Sequence, residues 1–234
     1  LGKEKVKTVM MPFDYTSDIS LEDAKSLATN LGISHSEISI KEMFEAFNKG
    51  LSTSFNGLKV DKTEENLQSR CRGVTLMALS NKLGYLVLTT GNKSEAAVGY
   101  STLYGDTAGG FSVLKDVSKT LVYELAKYRN KRSVVIPQRI IDRPPSAELA
   151  PDQKDTDSLP DYDRLDPIIE MYVEKDKSIQ EIIGEGFDEN EVRKIVSLID
   201  FNEYKRRQAP LGIKISDRNF GKDRRYPITN AWKP

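Results

Sequence analysis

The sequence has very little cysteine and histidine, with one residue of each among 234. A single cysteine, Cys71, excludes an internal disulfide framework and a cysteine-rich metal site, and it suits a reducing compartment. A single histidine, His35, excludes a histidine cluster and argues against Ser–His–Asp or Cys–His chemistry. We therefore expect Cys71 to be a small packing residue and His35 a surface or half-buried side chain.

Net charge and long apolar runs are also absent. The 35 basic and 35 acidic residues cancel, so no overall field attracts nucleic acid or an anionic membrane. No apolar run is long enough to span a bilayer, and no signal peptide opens the sequence. We expect a cytoplasmic protein with neither nucleic acid nor membrane as a partner. Locally the charge is uneven, because 142–163 is acidic and 203–233 is basic.

What is present is an alternation of predicted strands and helices. The strands are predicted at 6–12, 36–40 and 85–91, with a fourth strand or an extended turn at 133–137, and the helices at 20–32, 41–51, 63–84 and 116–130. Ser20, Thr63 and either Asp116 or Ser118 are the predicted caps, and Gly32 ends the first helix. This alternation predicts an α/β fold with a parallel sheet and right-handed crossovers.

A polar cluster follows the strand "YLVLTTG". Thr89, Thr90, Asn92 and Glu95 lie at its carboxyl end, where ligands bind in parallel sheets, and Pro12 follows another strand. Carboxylates beside lysine and arginine are suited to holding phosphates and Mg²⁺. Because Mg²⁺ needs few carboxylates, Glu95 could supply one ligand.

The region from 142 onward differs in composition from the rest. Its opening stretch, "DRPPSAELAPDQKDTDSLPDYDRLD", is too rich in proline and aspartate for a regular element and predicts a functional loop. Two or three helices broken at Gly184 and Gly186 are predicted next, and a basic tail closes the sequence.

Five segments carry a family resemblance, in order and with natural spacing: "TEENLQSRCRG", "LVLTTGNKSEAAVGYSTLYGDTAGGFSVLKDVSKT", "RPPSAELAPDQKDTDSLPDYDRLD", "NEYKRRQAP" and "FGKDRRYPITN". They resemble the synthetase domain of glutamine-dependent NAD⁺ synthetases over nearly the whole chain. The resemblance implies a Rossmann-like parallel sheet of the adenine nucleotide alpha hydrolase kind, flanked by helices. It implies one synthetase domain over 1–234, with an acidic active-site loop at 142–163 and C-terminal helices and a basic tail at 164–234.

The same resemblance implies an activity. ATP adenylylates the nicotinate carboxylate of deamido-NAD⁺, pyrophosphate leaves, and ammonia derived from glutamine displaces AMP to give NAD⁺. The implied cofactor is Mg²⁺. The implied partners are an N-terminal glutamine amidase domain and a second copy of the chain, in a homodimer or a higher oligomer.

Site residues follow from the matching motif positions, without an assigned catalytic residue. Those implied to contact deamido-NAD⁺ are Asn66, Arg70, Glu95 and Lys205, those implied to contact ATP are Thr90, Lys119 and Ser146, and Glu95 is also the implied metal ligand. Arg206 and Arg207 suit the phosphates of the dinucleotide. The alternatives are ordinary helix-surface polarity for Asn66 and Arg70, a helix cap for Thr90, a favourable helix-dipole contact for Glu95, and a surface role for Lys119.

The chain departs from the family at several positions. Leu103, Gly110 and Tyr204 differ from the ammonia-using branch and resemble the glutamine-dependent branch, whereas Asp14 stands where that branch often has arginine. The Ser-Gly-Gly-Xaa-Asp-Ser pyrophosphate loop and the amidase domain are not found in the sequence. We therefore expect a fragment that is inactive alone. The alternatives are a non-catalytic dinucleotide-binding or dimerisation module, and a same-fold enzyme that adenylates another acceptor.

Overall fold

The computed structural model describes residues 1–229 and 231. The end of the predicted basic tail, 230 and 232–234, lies outside the described residues. In chain order, the helices and strands are β1 (Lys7–Met10), α1 (Asp18–Leu31), β2 (Ser34–Glu37), α2 (Lys41–Leu51), α3 (Lys62–Leu83), β3 (Leu88–Thr89), α4 (Lys93–Val98), β4 (Phe111–Ser112), α5 (Lys119–Arg132), α6 (Gln138–Asp142), α7 (Tyr162–Ile169), α8 (Ile179–Gly184), α9 (Glu189–Phe201) and α10 (Glu203–Arg206). Parallel strands alternate with helices, so the predicted α/β class is confirmed.

The chain divides into two compact units. The first contains 1–72 and 123–158, and the second contains 73–122 and 159–234. Each unit has its own two-stranded parallel ladder, β1 with β2 in the first and β3 with β4 in the second. The described strands therefore form two short ladders in place of the single predicted sheet.

In the first unit, α1 connects the two paired strands β1 and β2. The Ser17 hydroxyl accepts the N–H of Ser20 at 3.2 Å and caps α1, so the predicted cap at Ser20 is wrong. Ser17 does so because an extended residue before the first turn can receive a free helical N–H. Gly32 ends the helix at φ 65°, as predicted, in a conformation that glycine adopts easily.

Other boundaries in this unit differ from the predictions. The second strand occupies Ser34–Glu37 and not 36–40. Asp61 caps α3, because its carboxylate accepts the N–H of Thr63 at 2.7 Å, so the predicted cap at Thr63 is wrong. Residues 133–137 form no strand, because the Asn130 side chain bonds the backbone groups of Val135 and Ile136 that a strand would use.

The second unit is built on a helical core. The residues of α9 at i, i+3, i+4 and i+7, which are Val192, Ile195, Val196 and Ile199, are fully buried. They pack with apolar residues of α4, α7 and α8. Gly99 ends α4 at φ 71°, and a Cβ there would lie 2.1 Å from the Asn202 side chain. Glycine at position 99 therefore allows the close approach of Asn202 to the end of α4.

The stretch from 142 onward is more regular than predicted. Asp155–Asp157 forms a 3₁₀ turn and α7 starts at Tyr162, so the loop predicted at 142–163 ends two residues early. Four described helices follow where two or three were expected, with a π-helical turn at Glu170–Glu174. The break at Gly184 and Gly186 is confirmed, with α8 ending at Gly184 and Gly186 at φ 97°. None of the helices in the described part of the chain has the length and hydropathy needed to cross a membrane.

Candidate functional site

A pocket lies at the carboxyl end of β3 within the second unit. Its lining includes Thr89, Gly91, Asn92, Glu95, Asp106, Ser112, Lys115 and Lys205. β3 delivers Thr89 to the pocket, and the first turn of α4 delivers Asn92 and Glu95. Acids, bases and hydroxyls thus meet at a strand end, which is where the sequence predicted a ligand.

Glu95 has two structural contacts at this pocket. Asn92 and not Thr90 caps α4: the Asn92 side chain accepts the N–H of Glu95, and the Glu95 carboxylate accepts the N–H of Asn92. The alternative of a helix-cap role for Thr90 is therefore wrong, and Thr90 is exposed. The other oxygen of Glu95 lies 3.1 Å from Lys119 Nζ. Glu95 consequently both stabilises a helix start and pairs with a lysine.

Lys119 is more enclosed than a surface lysine. Its side chain is 18% exposed, and that of Glu95 is 20% exposed. The ammonium also lies 5.3 Å from the centre of the Tyr162 ring, within range of a cation–π contact. The Glu95 carboxylate and the Lys119 ammonium therefore form a half-buried pair of opposite charges, held by α4 and α5.

The free backbone N–H groups in the first turn of α5 have hydrogen-bond acceptors inside the same unit. The N–H of Lys119 donates to Ser94 Oγ at 2.9 Å, and that of Thr120 donates to the Asp166 carboxylate at 2.9 Å. The N–H of Leu121 donates to Ser118 Oγ at 3.3 Å, so Ser118, and not Asp116, is the cap on α5. With these N–H groups engaged, the positive charge at this helix start comes from the Lys119 side chain.

Beside Glu95 lies a buried charge cluster that sequence reasoning missed. The Lys93 ammonium lies 2.9 Å from Asp116 and 2.7 Å from Glu174, and it donates to Ser216 Oγ at 2.6 Å. Lys93 and Asp116 are only 3% and 2% exposed. A lysine in the first turn of a helix opposes the helix dipole, and this is the sequence signal that could have revealed a buried partner.

Asp116 has an altered acidity with a definite cause. Burial alone would raise its pKa, but backbone N–H groups of Ser216 and Ile215 and the Lys93 ammonium outweigh burial and hold the pKa below its ordinary value. A depressed carboxyl pKa contributes stability that is complete above the unfolded value of about 3.9 and is lost as the pH falls through the folded value.

We therefore predict that Asp116→Asn makes the free energy of unfolding less dependent on pH under acidic conditions. The urea midpoint of the variant should fall less steeply than that of the wild type as the pH drops from about 5 to about 3, because the carboxylate that must be protonated is gone. Asp163→Asn, an exposed aspartate of α7, is the matched control and should keep the wild-type slope. Equal slopes for Asp116→Asn and wild type would contradict the assignment.

Lys205 lines the same pocket from α10. Its ammonium donates to the carbonyls of Gly99 and Ser101, each at 2.7 Å. Burial lowers the pKa of Lys205, and the charge of Asp106 partly opposes this shift. The ammonium is thus held at the pocket wall by backbone carbonyls.

Arg206 and Arg207 have internal partners in this structure, and their phosphate roles stay predictions. Arg206 is buried, and its guanidinium donates to carbonyls of Ala97 and Ile199 and to Glu203. Arg207 pairs with Glu203 at 2.6 Å and donates to the Tyr226 carbonyl. Both guanidinium groups are engaged by internal acceptors, since Arg206 binds carbonyls of α4 and α9 and both arginines bind Glu203 of α10.

The remaining predicted residues lie in the first unit. Asn66 is half-buried and Arg70 exposed on α3. The Ser146 hydroxyl donates to the Gln153 carbonyl and accepts the N–H of Glu148 at 3.1 Å. The same loop binds α3, where Gln68 donates to the Leu149 carbonyl and Glu65 accepts from the Gln153 side chain. The structure therefore groups Ser146 with the helix of Asn66 and Arg70, and Thr90, Glu95, Lys119 and Lys205 with the second unit.

The fit of a metal ion rests on the Glu95 carboxylate. In the described residues, no three histidine, cysteine or acidic side chains form a cluster that could hold a metal. Mg²⁺ takes one or two carboxylates and completes its shell with water and phosphate oxygens. Glu95 supplies one carboxylate at the pocket, and a single carboxylate is compatible with this pattern.

Comparisons with known proteins agree on one family. The NAD synthase family model matches residues 1–209. The glutamine-dependent NAD(+) synthetase of Acinetobacter baylyi is 57% identical over 236 residues, covering 100% of this chain and 44% of that protein. The structure of glutamine-dependent NAD⁺ synthetase from Acinetobacter baumannii in complex with ADP is 50% identical with a TM-score of 0.61, covering 100% of this chain and 42% of the other.

NMN synthetase from Francisella tularensis has the same fold at a TM-score of 0.66 and 28% identity, covering 85% of this chain and 73% of the other. This chain spans less than half the length of the two Acinetobacter proteins. The family match nevertheless includes both compact units. Since it extends over most of the sequence, the chain belongs to the NAD synthase family.

Proposed function

We propose that these residues form the synthetase part of an enzyme that converts deamido-NAD⁺ to NAD⁺ with ATP and glutamine-derived ammonia. The observation that carries this proposal is the family match over residues 1–209. The pocket at the end of β3 supports it, since Glu95, Lys119 and Lys205 supply one carboxylate and two ammonium groups within one unit.

The reaction has two steps. The nicotinate carboxylate attacks the α-phosphorus of ATP, and pyrophosphate leaves. Ammonia then attacks the acyl carbon, the C–O bond to AMP breaks, and the nitrogen loses one proton to leave an amide. Adenylation is needed because a bare carboxylate has a poor leaving group, whereas AMP is a good one.

The residues of this chain would act by holding charge. Lys119 would bind ATP phosphates with Thr90 and Ser146, and Lys205 would bind deamido-NAD⁺ with Asn66, Arg70 and Glu95. Phosphoryl and nucleotidyl transfer depend mainly on such positioning and neutralisation. Glu95 would be the ligand for Mg²⁺, which neutralises the phosphates when it is bound.

The setting of the enzyme is part of the proposal. The synthetase domain would cover 1–234, with its acidic active-site loop at 142–163, and would receive ammonia from a glutamine amidase domain. We propose a cytoplasmic homodimer or higher oligomer that binds neither nucleic acid nor membrane. The identity with glutamine-dependent synthetases supports the ammonia source.

The test is product analysis on the full natural chain. With ATP, Mg²⁺, deamido-NAD⁺ and either ammonia or glutamine, NAD⁺ and AMP should form in equal amounts. If the substrate carboxylate is labelled with heavy oxygen, one labelled atom should appear in AMP. ADP as the product, or AMP without label, would contradict adenylation of the carboxylate. Deamido-NAD⁺ binding with no turnover would favour a non-catalytic module.

A second candidate acceptor follows from the NMN synthetase likeness, namely the deamidated mononucleotide. It belongs to the wider alternative of a same-fold enzyme adenylating another acceptor. Competition between deamido-NAD⁺ and this mononucleotide in one assay separates the two. A higher kcat/KM for the mononucleotide would favour the second candidate.

Lys205→Met should weaken the binding of deamido-NAD⁺ and leave the binding of ATP nearly unchanged. We expect KM for deamido-NAD⁺ to rise about 10-fold with little change in KM for ATP, because a charged hydrogen-bond donor is lost. Steady-state kinetics with each substrate varied in turn measures this. Lys214→Met removes only a partly exposed pair with Asp223 and should behave as wild type. Equal effects on both KM values would contradict the role of Lys205.

A further inference from the structure

Asp166 is a buried carboxylate that the proposed chemistry leaves without a role. It lies on α7 and is 8% exposed. One of its oxygens accepts from the Ser94 hydroxyl, and the other accepts the N–H of Thr120 at 2.9 Å and its hydroxyl at 2.8 Å. Asp166 therefore connects the first turn of α4 to the first turn of α5.

The partners of Asp166 are the sequence neighbours of the Glu95–Lys119 pair. Ser94 precedes Glu95, and Thr120 follows Lys119. The Ser94 hydroxyl also accepts the N–H of Lys119 at 2.9 Å. The backbone that carries each member of the pair is thus fixed to the same carboxylate.

The pair itself is too weak to set this geometry. The pair joins the ends of two long side chains with several rotatable bonds each, so one ion contact does not fix where the two backbones lie. Hydrogen bonds to a buried carboxylate are stronger and directional. The spacing of Glu95 and Lys119 is therefore set mainly by the hydrogen bonds from Ser94 and Thr120 to Asp166.

The position of Asp166 in its helix agrees with this interpretation. Tyr162, Leu165 and Ile169 lie on the same face of α7 at helical spacing and are buried. An acidic residue on an apolar face is unfavourable unless donors reach it. Here the donors come from Ser94 and Thr120, so the Asp166 carboxylate holds the first turns of α4 and α5 next to each other.

We propose that Asp166 is a positioning residue that holds Lys119 beside Glu95 and thereby sets the affinity for Mg·ATP. This role rests on the proposed function, in which Lys119 binds the phosphates and Glu95 the metal. Asp166 touches neither ligand and acts through the first turns of α4 and α5.

The test is calorimetric binding of Mg·ATP to the full natural chain. Asp166→Asn keeps the size of the side chain but presents an N–H₂ where an acceptor is needed. We expect the Kd for Mg·ATP to rise about 10-fold, since small displacements of binding groups have large effects. The Kd for deamido-NAD⁺ should rise less, because Glu95 is the only one of its four proposed contacts whose position depends on Asp166. Glu170→Gln, which changes an exposed carboxylate at the C-terminal end of α7, should leave both unchanged.

A double-mutant cycle separates positioning from general stability. Lys119→Met alone should raise the Kd for Mg·ATP about 10-fold, and adding Asp166→Asn to that variant should then change this Kd less than about twofold. A lower Tm with unaltered Mg·ATP affinity, or full additivity with Lys119→Met, would overturn the positioning role. If Lys119→Met has no effect, the proposed nucleotide site fails, and this inference fails with it.

A milder variant covers the case in which Asp166→Asn does not fold. Thr120→Val removes one hydroxyl donor and keeps the backbone N–H that binds Asp166. Its Kd for Mg·ATP should rise about threefold, again only when Lys119 is present. Unchanged affinity in Thr120→Val would count against the inference in the same way.

Discussion

Glu95→Gln is expected to lower the rate of NAD⁺ formation by at least about 100-fold. The substitution keeps the shape of the side chain and an oxygen that can accept the N–H of Asn92, so the cap on α4 survives. It removes the negative charge that pairs with Lys119 and that would hold Mg²⁺. Metal-free ATP should bind at least as tightly as to wild type, because the Lys119 ammonium loses its competing carboxylate.

The measurement is kcat/KM for ATP over a range of Mg²⁺ concentrations, with metal-free ATP binding followed separately. Glu181→Gln is the matched control, because Glu181 has the same capping-box position at the start of α8. It should retain wild-type rates. A Glu95→Gln enzyme with wild-type Mg²⁺ dependence would show that Glu95 is a structural cap and not a ligand.

Sequence patterns predicted the helices of this fold better than its strands. The spacing of apolar residues and the glycine stops located α1 to α3 closely, because a helix is decided by local contacts. Strands β3 and β4 are two residues each, and their pairing depends on partners distant in sequence. The predicted cap at Ser20 failed because Ser17, three residues earlier, offers the same hydroxyl in an extended conformation.

For the site, charge alone was a poor guide. Arg206 suggested a phosphate contact in the sequence, yet its guanidinium satisfies buried carbonyls. No role was predicted for Lys93 or Asp166, although each is an unfavourable residue type at its position in a helix. Lys93 is a base at a helix start, and Asp166 is an acid on an apolar face. Such exceptions are informative because a compensating partner must lie elsewhere in the fold.

Lys93→Met is expected to destabilise the protein by about 3–5 kcal/mol, the usual effect of removing one partner from a buried ion pair. Methionine replaces the aliphatic stem, so the loss reflects the ammonium and not a cavity. The carboxylates of Asp116 and Glu174 would then face each other's charge without the cation that lies within 2.9 Å of both. Lys93 lies between Asn92 and Ser94, so the first turn of α4 would lose one attachment and keep the hydrogen bond from Ser94 to Asp166.

The sign of the pH dependence identifies the cause. Without the ammonium, the pKa of the Asp116 carboxyl should be higher than in the wild type, because burial is then opposed only by hydrogen bonds from Ser216 and Ile215. Protonation of Asp116 therefore relieves the unpaired buried charge in the variant at a higher pH than in the wild type. The deficit relative to wild type should therefore shrink from about pH 5 to about pH 3 in urea denaturation followed by circular dichroism. Lys175→Met, which removes an exposed pair with Glu170 at 2.8 Å, should change stability by less than about 1 kcal/mol. A deficit for Lys93→Met as small as that of Lys175→Met, or one that does not shrink with acidification, would mean that the cluster does not stabilise α4 through charge.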